Sequence, residues 1–118
     1  MIEDVYSDAF LDHFQNPRGQ GGLDDATHTG CASDPACGDE MELDLRVRAG
    51  RIEAACFRVR GCTGAIAVGS ALVTLLPGRE ARADVVVREQ LEAELGAVPT
   101  TKRHALRLAL NTLRAALS

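Results

Sequence analysis

The alternation of apolar and charged side chains is most regular in the middle of the chain. Across residues 41–48 every second residue is apolar, and each residue between them is charged. This period of two predicts a strand with one buried face and one solvated face. After a tight turn, residues 52–60 predict a second strand, in which Phe57 and Val59 face inward and Cys56 points the other way.

Helices are predicted at both ends of the chain from the spacing of apolar residues. Residues 4–16 carry aromatic side chains at intervals of four, namely Tyr6, Phe10 and Phe14. Asp4 is the predicted N-cap of this helix, and Pro17 ends it. Residues 100–117 predict the last helix, with a stripe of four leucines, namely Leu106, Leu110, Leu113 and Leu117.

The rest of the chain predicts two more helices and one loop. Residues 63–76 contain no charged residue, which is typical of a helix buried on nearly all sides. Residues 86–95 predict a short acidic helix that ends at Gly96, and residues 18–34 predict a mobile loop. Because strands come early and helices late, we expect an α+β fold with an antiparallel sheet, in a single domain spanning 1–118.

Composition and charge exclude several classes of partner. Of the 118 residues, 46% are hydrophobic and 25% are charged, which is the balance of a globular protein. The net charge is −4 and is spread along the chain, which argues against nucleic-acid binding. The sequence has no secretory signal pattern and no apolar run near the roughly 20 residues that span a bilayer. We therefore expect a cytoplasmic protein with no membrane partner and with four free cysteines.

Three stretches carry side chains that suit a metal or a sulfur atom. Cys37 and Asp39 lie two residues apart where the loop becomes a strand, so both can reach one ion. Cys62 lies where the second strand becomes a helix, and the free N–H groups there favour a thiolate. His104 falls in the first turn of the last helix, where the helix dipole keeps the imidazole neutral. Together these donors suit zinc or ferrous iron.

Each candidate also has an ordinary interpretation when it is taken alone. A cysteine at a helix start is more often a structural thiol than a reactive one. His104, beside Lys102 and Arg103, would by itself be a solvated histidine. His13 on a helix side and His28 in the predicted loop have no neighbouring cysteine, and we assign neither of them to the site.

Longer motifs surround these candidates. They read His13-Phe14-Gln15-Asn16-Pro17-Arg18, Pro35-Ala36-Cys37-Gly38-Asp39, Gly61-Cys62 and Ala65-Ile66-Ala67. Their order and spacing resemble the IscU/NifU N-terminal scaffolds of iron–sulfur cluster assembly, almost from end to end. The resemblance implies a three-stranded antiparallel β-sheet packed against several helices. It also implies that the cofactor and any metal are bound by four residues, namely Cys37, Asp39, Cys62 and His104.

Two motifs differ from the family pattern, whereas the spacing between the second and third ligand motifs agrees with it. The family's third ligand motif reads Lys, one residue, His and then Cys, whereas Ala105 follows His104 here, so one expected thiolate is missing. The 42 residues from Cys62 to His104 resemble the IscU spacing and leave no room for the insertion typical of the zinc-dependent SufU branch. The segment at residues 98–102 reads Val-Pro-Thr-Thr-Lys rather than the Leu-Pro-Pro-Val-Lys that the family's dedicated chaperone recognises. The resemblance therefore does not extend to a chaperone interaction.

The resemblance implies a non-enzymatic scaffold. A cysteine desulfurase would deliver sulfur to a scaffold thiolate, iron would be added, and a transient 2Fe–2S cluster would pass to apo iron–sulfur proteins. This role requires exposed thiolates of low pKa on mobile backbone, which Cys37 and Cys62 are predicted to provide. Zn²⁺ is a further candidate for the isolated protein, and we expect a monomer or a weak dimer.

Two other functions remain open from the sequence. One is a zinc-dependent sulfur acceptor of the SufU type, a sulfurtransferase in which zinc masks and releases one thiolate. The other is a structural or regulatory zinc-binding module descended from the scaffold, which would unfold when its metal is removed. A separate hypothesis is that Cys31, six residues before Cys37 in the predicted loop, swings in to replace the thiolate missing at Ala105.

Overall fold

The structure, a computed structural model, describes residues 6–118. Its elements are α1 Asp8–Gln15, β1 His28–Ser33, β2 Glu40–Arg48, β3 Arg51–Arg60, α2 Thr63–Leu75, α3 Arg88–Leu95, a 3-10 turn at Thr100–Lys102 and α4 His104–Leu117. The strands form one antiparallel sheet in the order β1-β2-β3, and helices α2 and α4 pack on it. The predicted α+β class and the three-stranded sheet are confirmed.

The β2–β3 hairpin follows the alternation read from the sequence. Met41, Leu43 and Leu45 are fully buried, and Leu43 pairs with Phe57 across the hairpin. Ala49 and Gly50 both have positive φ, at 55° and 76°, as a two-residue hairpin turn of the primed type requires. The face of β2 and β3 that meets the helices is therefore the predicted apolar one.

Helix α2 lies in the middle of the molecule, as its uncharged sequence predicts. Nine of its residues are buried, and it packs against α1, α3, α4 and the sheet. Gly69 brings the helix close to β3, because a Cβ at this position would lie 2.5 Å from the ring of Phe57. This close packing fixes the start of α2 relative to the end of β3.

The predicted loop at residues 18–34 is wrong in its second half, because strand β1 lies there. β1 consists of small and polar residues with no apolar alternation, so its sequence carries no strand signal. It packs on α4 through Gly30, where a Cβ would lie 2.3 Å from the backbone nitrogen of Ala116. The missing side chain at Gly30 therefore allows the helix backbone to lie directly on the strand.

Three helices begin later in the chain than the sequence predicts. Helix α1 begins at Asp8, with Ser7 as its N-cap accepting a hydrogen bond from the Phe10 N–H at 3.0 Å. Asp4, the predicted cap, lies outside the described residues. Helix α3 begins at Arg88, and a 3-10 turn precedes α4, which starts at His104. Within residues 6–118, no helix combines the length and apolarity needed to cross a membrane.

Candidate metal and sulfur site

Three side chains from distant parts of the sequence meet at one end of the sheet. The Cys62 Sγ lies 3.1 Å from Asp39 Oδ2 and 3.7 Å from His104 Nε2. The His104 Nε2 in turn lies 3.3 Å from the same Asp39 oxygen. A sulfur, a carboxylate oxygen and an imidazole nitrogen thus form a closed triangle.

The size of this triangle fits a single metal ion. Zinc binds sulfur at about 2.3 Å and nitrogen or oxygen at about 2.0–2.2 Å, so neighbouring ligands of a tetrahedral site lie about 3.3–3.6 Å apart. The three measured separations, 3.1, 3.3 and 3.7 Å, are close to those edges. The donors could therefore bind a metal with little rearrangement, and the mixed sulfur, nitrogen and oxygen set suits zinc or iron.

Asp39 is held in place by packing around its carboxylate. It immediately precedes β2 and is only 5% exposed. A Cβ at Gly61 would lie 2.6 Å from Asp39 Cγ, so the absence of a side chain at Gly61 makes room for the carboxylate. Cys62, the next residue, is the N-cap of α2 with extended backbone angles, φ −82° and ψ 171°. The junction of β3 and α2 therefore places Cys62 beside Asp39.

His104 reaches the site because the start of α4 lies beside the start of α2. The side-chain stem of Lys102, in the preceding 3-10 turn, packs over Gly64, where a Cβ would lie 2.9 Å from Lys102 Cβ. The glycine therefore allows the two helix starts to approach. The side chain of His104 keeps 27% exposure, so a ligand can approach its ring from solvent.

Cys37 lies on the short loop that joins β1 to β2. The loop is closed by two backbone hydrogen bonds, from Gly38 N–H to Asp34 O at 2.7 Å and from Asp34 N–H to Asp39 O at 2.8 Å. Cys37 itself is exposed. Its sulfur forms a second potential ligand group with Asp34 and His104, whose donor atoms all lie within 4.8 Å of one another. The structure thus brings all four predicted residues into one neighbourhood.

Asp34 is the residue that the sequence reading missed. It belongs to this second group, but an aspartate followed by proline is a common turn signal, so the sequence predicts only a loop residue at this position. The signal that could have found it is its place three residues before Cys37, within the same tight loop.

The pKa shifts of Asp39 and Cys37 have opposite directions. Burial opposes ionisation of Asp39, but hydrogen bonds from Cys62 and His104 outweigh it, and the pKa of Asp39 lies below its usual value. The backbone N–H of Asp39 favours a thiolate at Cys37, but desolvation and the negative charges of Asp39 and Asp34 prevail and raise the thiol pKa of Cys37. The predicted low pKa of Cys37 is therefore wrong, because desolvation and the neighbouring carboxylates disfavour its thiolate.

The other two cysteines lie on the opposite face of the sheet from the site. Cys31 pairs with Glu42 within β1 and β2, and Cys56 pairs with Asp44 within β2 and β3. Because side chains alternate along a strand, both cysteines point away from the helices. The hypothesis that Cys31 swings in from a loop is contradicted, since Cys31 is fixed in a paired strand on the other face. Ala105 is fully buried in α4.

The two remaining histidines have partners of their own. His13 is buried, with Nδ1 2.7 Å from the Ser70 hydroxyl and Nε2 2.9 Å from Glu94 Oε2, so it links α1, α2 and α3. His28 is exposed, and its Nδ1 lies 2.9 Å from the Thr27 hydroxyl. Both histidines form hydrogen bonds elsewhere, and neither belongs to the two potential ligand groups found among the described residues.

Known proteins resemble this chain in sequence along most of its length. The scaffold protein IscU of iron–sulfur cluster assembly from Azotobacter vinelandii is 39% identical over 118 residues, covering 96% of this chain and 91% of the relative. The corresponding IscU 1 of Archaeoglobus fulgidus is 37% identical over 114 residues, covering 96% and 74%. The nitrogen fixation protein NifU of Cereibacter sphaeroides is 41% identical over 109 residues, and the match covers 92% of this chain but only 44% of that longer protein.

Solved structures share the fold. The N-terminal part of a nitrogen-fixing NifU-like protein from Brucella abortus superposes with a TM-score of 0.78 at 16% identity, covering 96% of this chain and 92% of that chain. A protein from Fervidobacterium islandicum, described as a SUF-system scaffold, superposes with a TM-score of 0.74 at 16% identity, covering 96% of both chains. The family model of the NifU-like N terminal domain matches residues 5–118. The chain therefore belongs to the NifU-like N-terminal domain family.

Proposed function

We propose that this chain is a scaffold on which iron–sulfur clusters are assembled and from which they are transferred. The observation that carries the proposal is the triangle of donor atoms from Asp39, Cys62 and His104, with Cys37 beside it on a short loop. The relatives that are named iron–sulfur cluster assembly scaffolds support the same conclusion. In this proposal all four residues hold the cluster or its metal precursor.

Binding of iron requires the loss of thiol protons, which are released to solvent, because Asp39 and His104 bind the metal through the same atoms that could accept a proton. The Cys62 thiol donates a hydrogen bond to Asp39 Oδ2, and His104 Nε2 lies within reach of both groups. A metal that approaches Cys37 offsets the repulsion from the carboxylates and favours its thiolate. The thiolates thus form as the cargo arrives and need not be present beforehand.

The mixed donor set suits cargo that must later be surrendered. Thiolates are the usual ligands of iron–sulfur clusters, and the proposed set contains only two of them beside a carboxylate and an imidazole. Such a set should hold a cluster more weakly than four thiolates. We propose a 2Fe–2S cluster as the cargo, a cysteine desulfurase as the sulfur donor and apo iron–sulfur proteins as the acceptors. Exposed Cys37 is the thiol that a donor protein can reach most easily.

Anaerobic reconstitution with ferric iron and a sulfide source tests the proposal. The unmodified protein should gain visible absorption together with equal amounts of bound iron and acid-labile sulfide. Cys62→Ala should lose most of both, because it removes one corner of the donor triangle. Cys31→Ser is the matched control, because it removes a cysteine from the opposite face of the sheet and should leave the yield unchanged. A colourless, iron-free product from the unmodified protein would contradict the scaffold.

A zinc-dependent sulfur acceptor is the second candidate, because the donor triangle also has the size of a tetrahedral zinc site. The separations match tetrahedral zinc as well as they match iron. In this role zinc would stay bound while one cysteine accepts a sulfur atom from a desulfurase persulfide. Mass spectrometry after incubation with a desulfurase and cysteine distinguishes the two functions. Retained zinc with one added sulfur and no iron uptake would favour the sulfur acceptor over the scaffold.

A further inference from the structure

The loop between β1 and β2 holds a carboxylate without a cationic partner. Asp34 is only 9% exposed. Its Oδ1 accepts a hydrogen bond from the Ala36 N–H at 2.9 Å, and within residues 6–118 it forms no ion pair. Arg107 lines the same cavity, and no ion pair joins it to the carboxylate in the described part of the chain. Asp34 is thus nearly buried and accepts one backbone hydrogen bond, but it has no cationic partner among residues 6–118.

Such a carboxylate calls for a positive partner. Burial of a charge is costly unless the charge is paired or coordinates a metal. The cost is tolerated more readily where function requires the charge to be present. The Asp34 carboxylate lies within 4.8 Å of both the Cys37 sulfur and a ring nitrogen of His104, which are two of the proposed donors.

We propose that Asp34 is a fifth ligand residue, which supplies a carboxylate oxygen to the metal that Cys37 binds. This inference rests on the proposed function, since it concerns the same cargo. The donors divide into two groups that share His104, one with Asp39 and Cys62 and the other with Asp34 and Cys37. Each iron of a 2Fe–2S cluster needs two protein ligands beside its two bridging sulfides. Asp34 and Cys37 would supply both protein ligands of one iron, and two of the three donors Asp39, Cys62 and His104 would supply those of the other.

Titration of the metal-free protein with Co²⁺ tests this inference without any cluster assembly. Cobalt takes up zinc-type sites, and each thiolate bound to it adds to the charge-transfer absorption in the near ultraviolet. Asp34→Asn removes the charge but keeps an oxygen that can accept the Ala36 hydrogen bond, so the loop should retain its shape. Asp24→Asn is the matched control, because it makes the same change of charge at an exposed aspartate outside the site.

Asp34→Asn should weaken cobalt binding about tenfold or more, and Asp24→Asn should leave it unchanged. Asp34→Cys should increase the charge-transfer absorption from that of two bound thiolates to that of three. A misfolded protein cannot produce this gain, and far-ultraviolet circular dichroism of the metal-free variants checks the fold directly.

The possible failures can be told apart. If both Asp34 variants match the unmodified protein in affinity and spectrum while Cys62→Ala loses cobalt, Asp34 is not a ligand and the proposed site stands. If the unmodified protein binds no cobalt through thiolates, the proposed function and this inference both fail.

Discussion

Replacement of Gly61 by alanine should disturb the site through one defined contact. An ideal Cβ on Gly61 would lie 2.6 Å from both Cγ and Oδ1 of Asp39, whereas ordinary van der Waals contact begins near 3.4 Å. Gly61→Ala would therefore push the carboxylate away by about 0.8 Å. Gly61 has no positive φ, so alanine can adopt its backbone conformation and the clash is the main perturbation.

The expected cost can be worked from what the Asp39 carboxylate does. A displacement of this size breaks or lengthens its hydrogen bonds with Cys62 and His104, now at 3.1 and 3.3 Å. Hydrogen bonds to a charged group contribute about 1.5–3 kcal/mol each, and overpacking costs about 1–3 kcal/mol. With partial relaxation we expect the metal-free protein to lose about 2 kcal/mol, or about 10 °C in Tm. Metal affinity should fall about tenfold or more, because one of three donors leaves the triangle.

Thermal unfolding of the metal-free protein and a Co²⁺ titration measure the two effects. Gly22→Ala is a matched control, because its Cβ would also lie 2.6 Å from another atom, the Nη1 of Arg58. That atom is the end of a flexible side chain with 47% exposure, so it can move aside. Gly22→Ala should leave cobalt affinity unchanged. If Gly61→Ala binds cobalt as tightly as the unmodified protein, Asp39 is not a donor of the kind that we infer.

Three further changes test the fold that supports the site. Gly30→Ala should lower the free energy of unfolding by about 2–3 kcal/mol in urea titrations, because a Cβ would lie 2.3 Å from the Ala116 backbone nitrogen; an unchanged midpoint would contradict the close packing of β1 on α4. Ser7→Ala should cost about 1 kcal/mol, because it removes the N-cap of α1 and a hydrogen bond to the Leu95 carbonyl; thermal melting with Ser118→Ala as control checks this. Metal removal by a chelator should leave the far-ultraviolet circular dichroism unchanged, because a continuous cluster of buried apolar side chains forms the core; unfolding would favour the structural zinc module.

The part of the fold that could be predicted is the part with strong periodicity. Strand β2 was read correctly because its apolar residues face the helices and its charged residues face away. Helix α2 was read correctly because it is buried on most sides and therefore has no charged residue. In both elements the local pattern and the tertiary environment favour the same structure.

Strand β1 could not be predicted because its burial depends on a residue without a side chain. Gly30 has no side chain, and this allows the strand to lie directly against α4. In the sequence, however, a glycine within a polar stretch predicts a loop. The sequence therefore predicts Cys31 on a loop near the site, whereas the strand directs its side chain to the opposite face of the sheet. The error in one element thus produced the error about one cysteine.

The candidate site was predictable in its residue types and only partly in its arrangement. Cysteine, aspartate and histidine at helix starts and at a strand start can be recognised from the sequence. That Gly61 shapes the pocket of Asp39, or that carboxylates raise the pKa of Cys37, depends on approaches between segments distant in the chain. Such approaches leave no local pattern in the sequence.

The donors of the site are held to unequal degrees, and this bears on how a scaffold would release its cargo. Asp39 is packed against Gly61, Cys62 caps α2, and His104 begins α4, so each is tied to an element of the core. Cys37, by contrast, is exposed beside Gly38, where φ is +80° and a Cβ would meet nothing within 4 Å. Local opening costs least where few buried contacts must be broken. Release should therefore begin when Cys37 leaves the metal while Asp39, Cys62 and His104 still hold it, which makes the loop the place where an acceptor protein can take over the cluster.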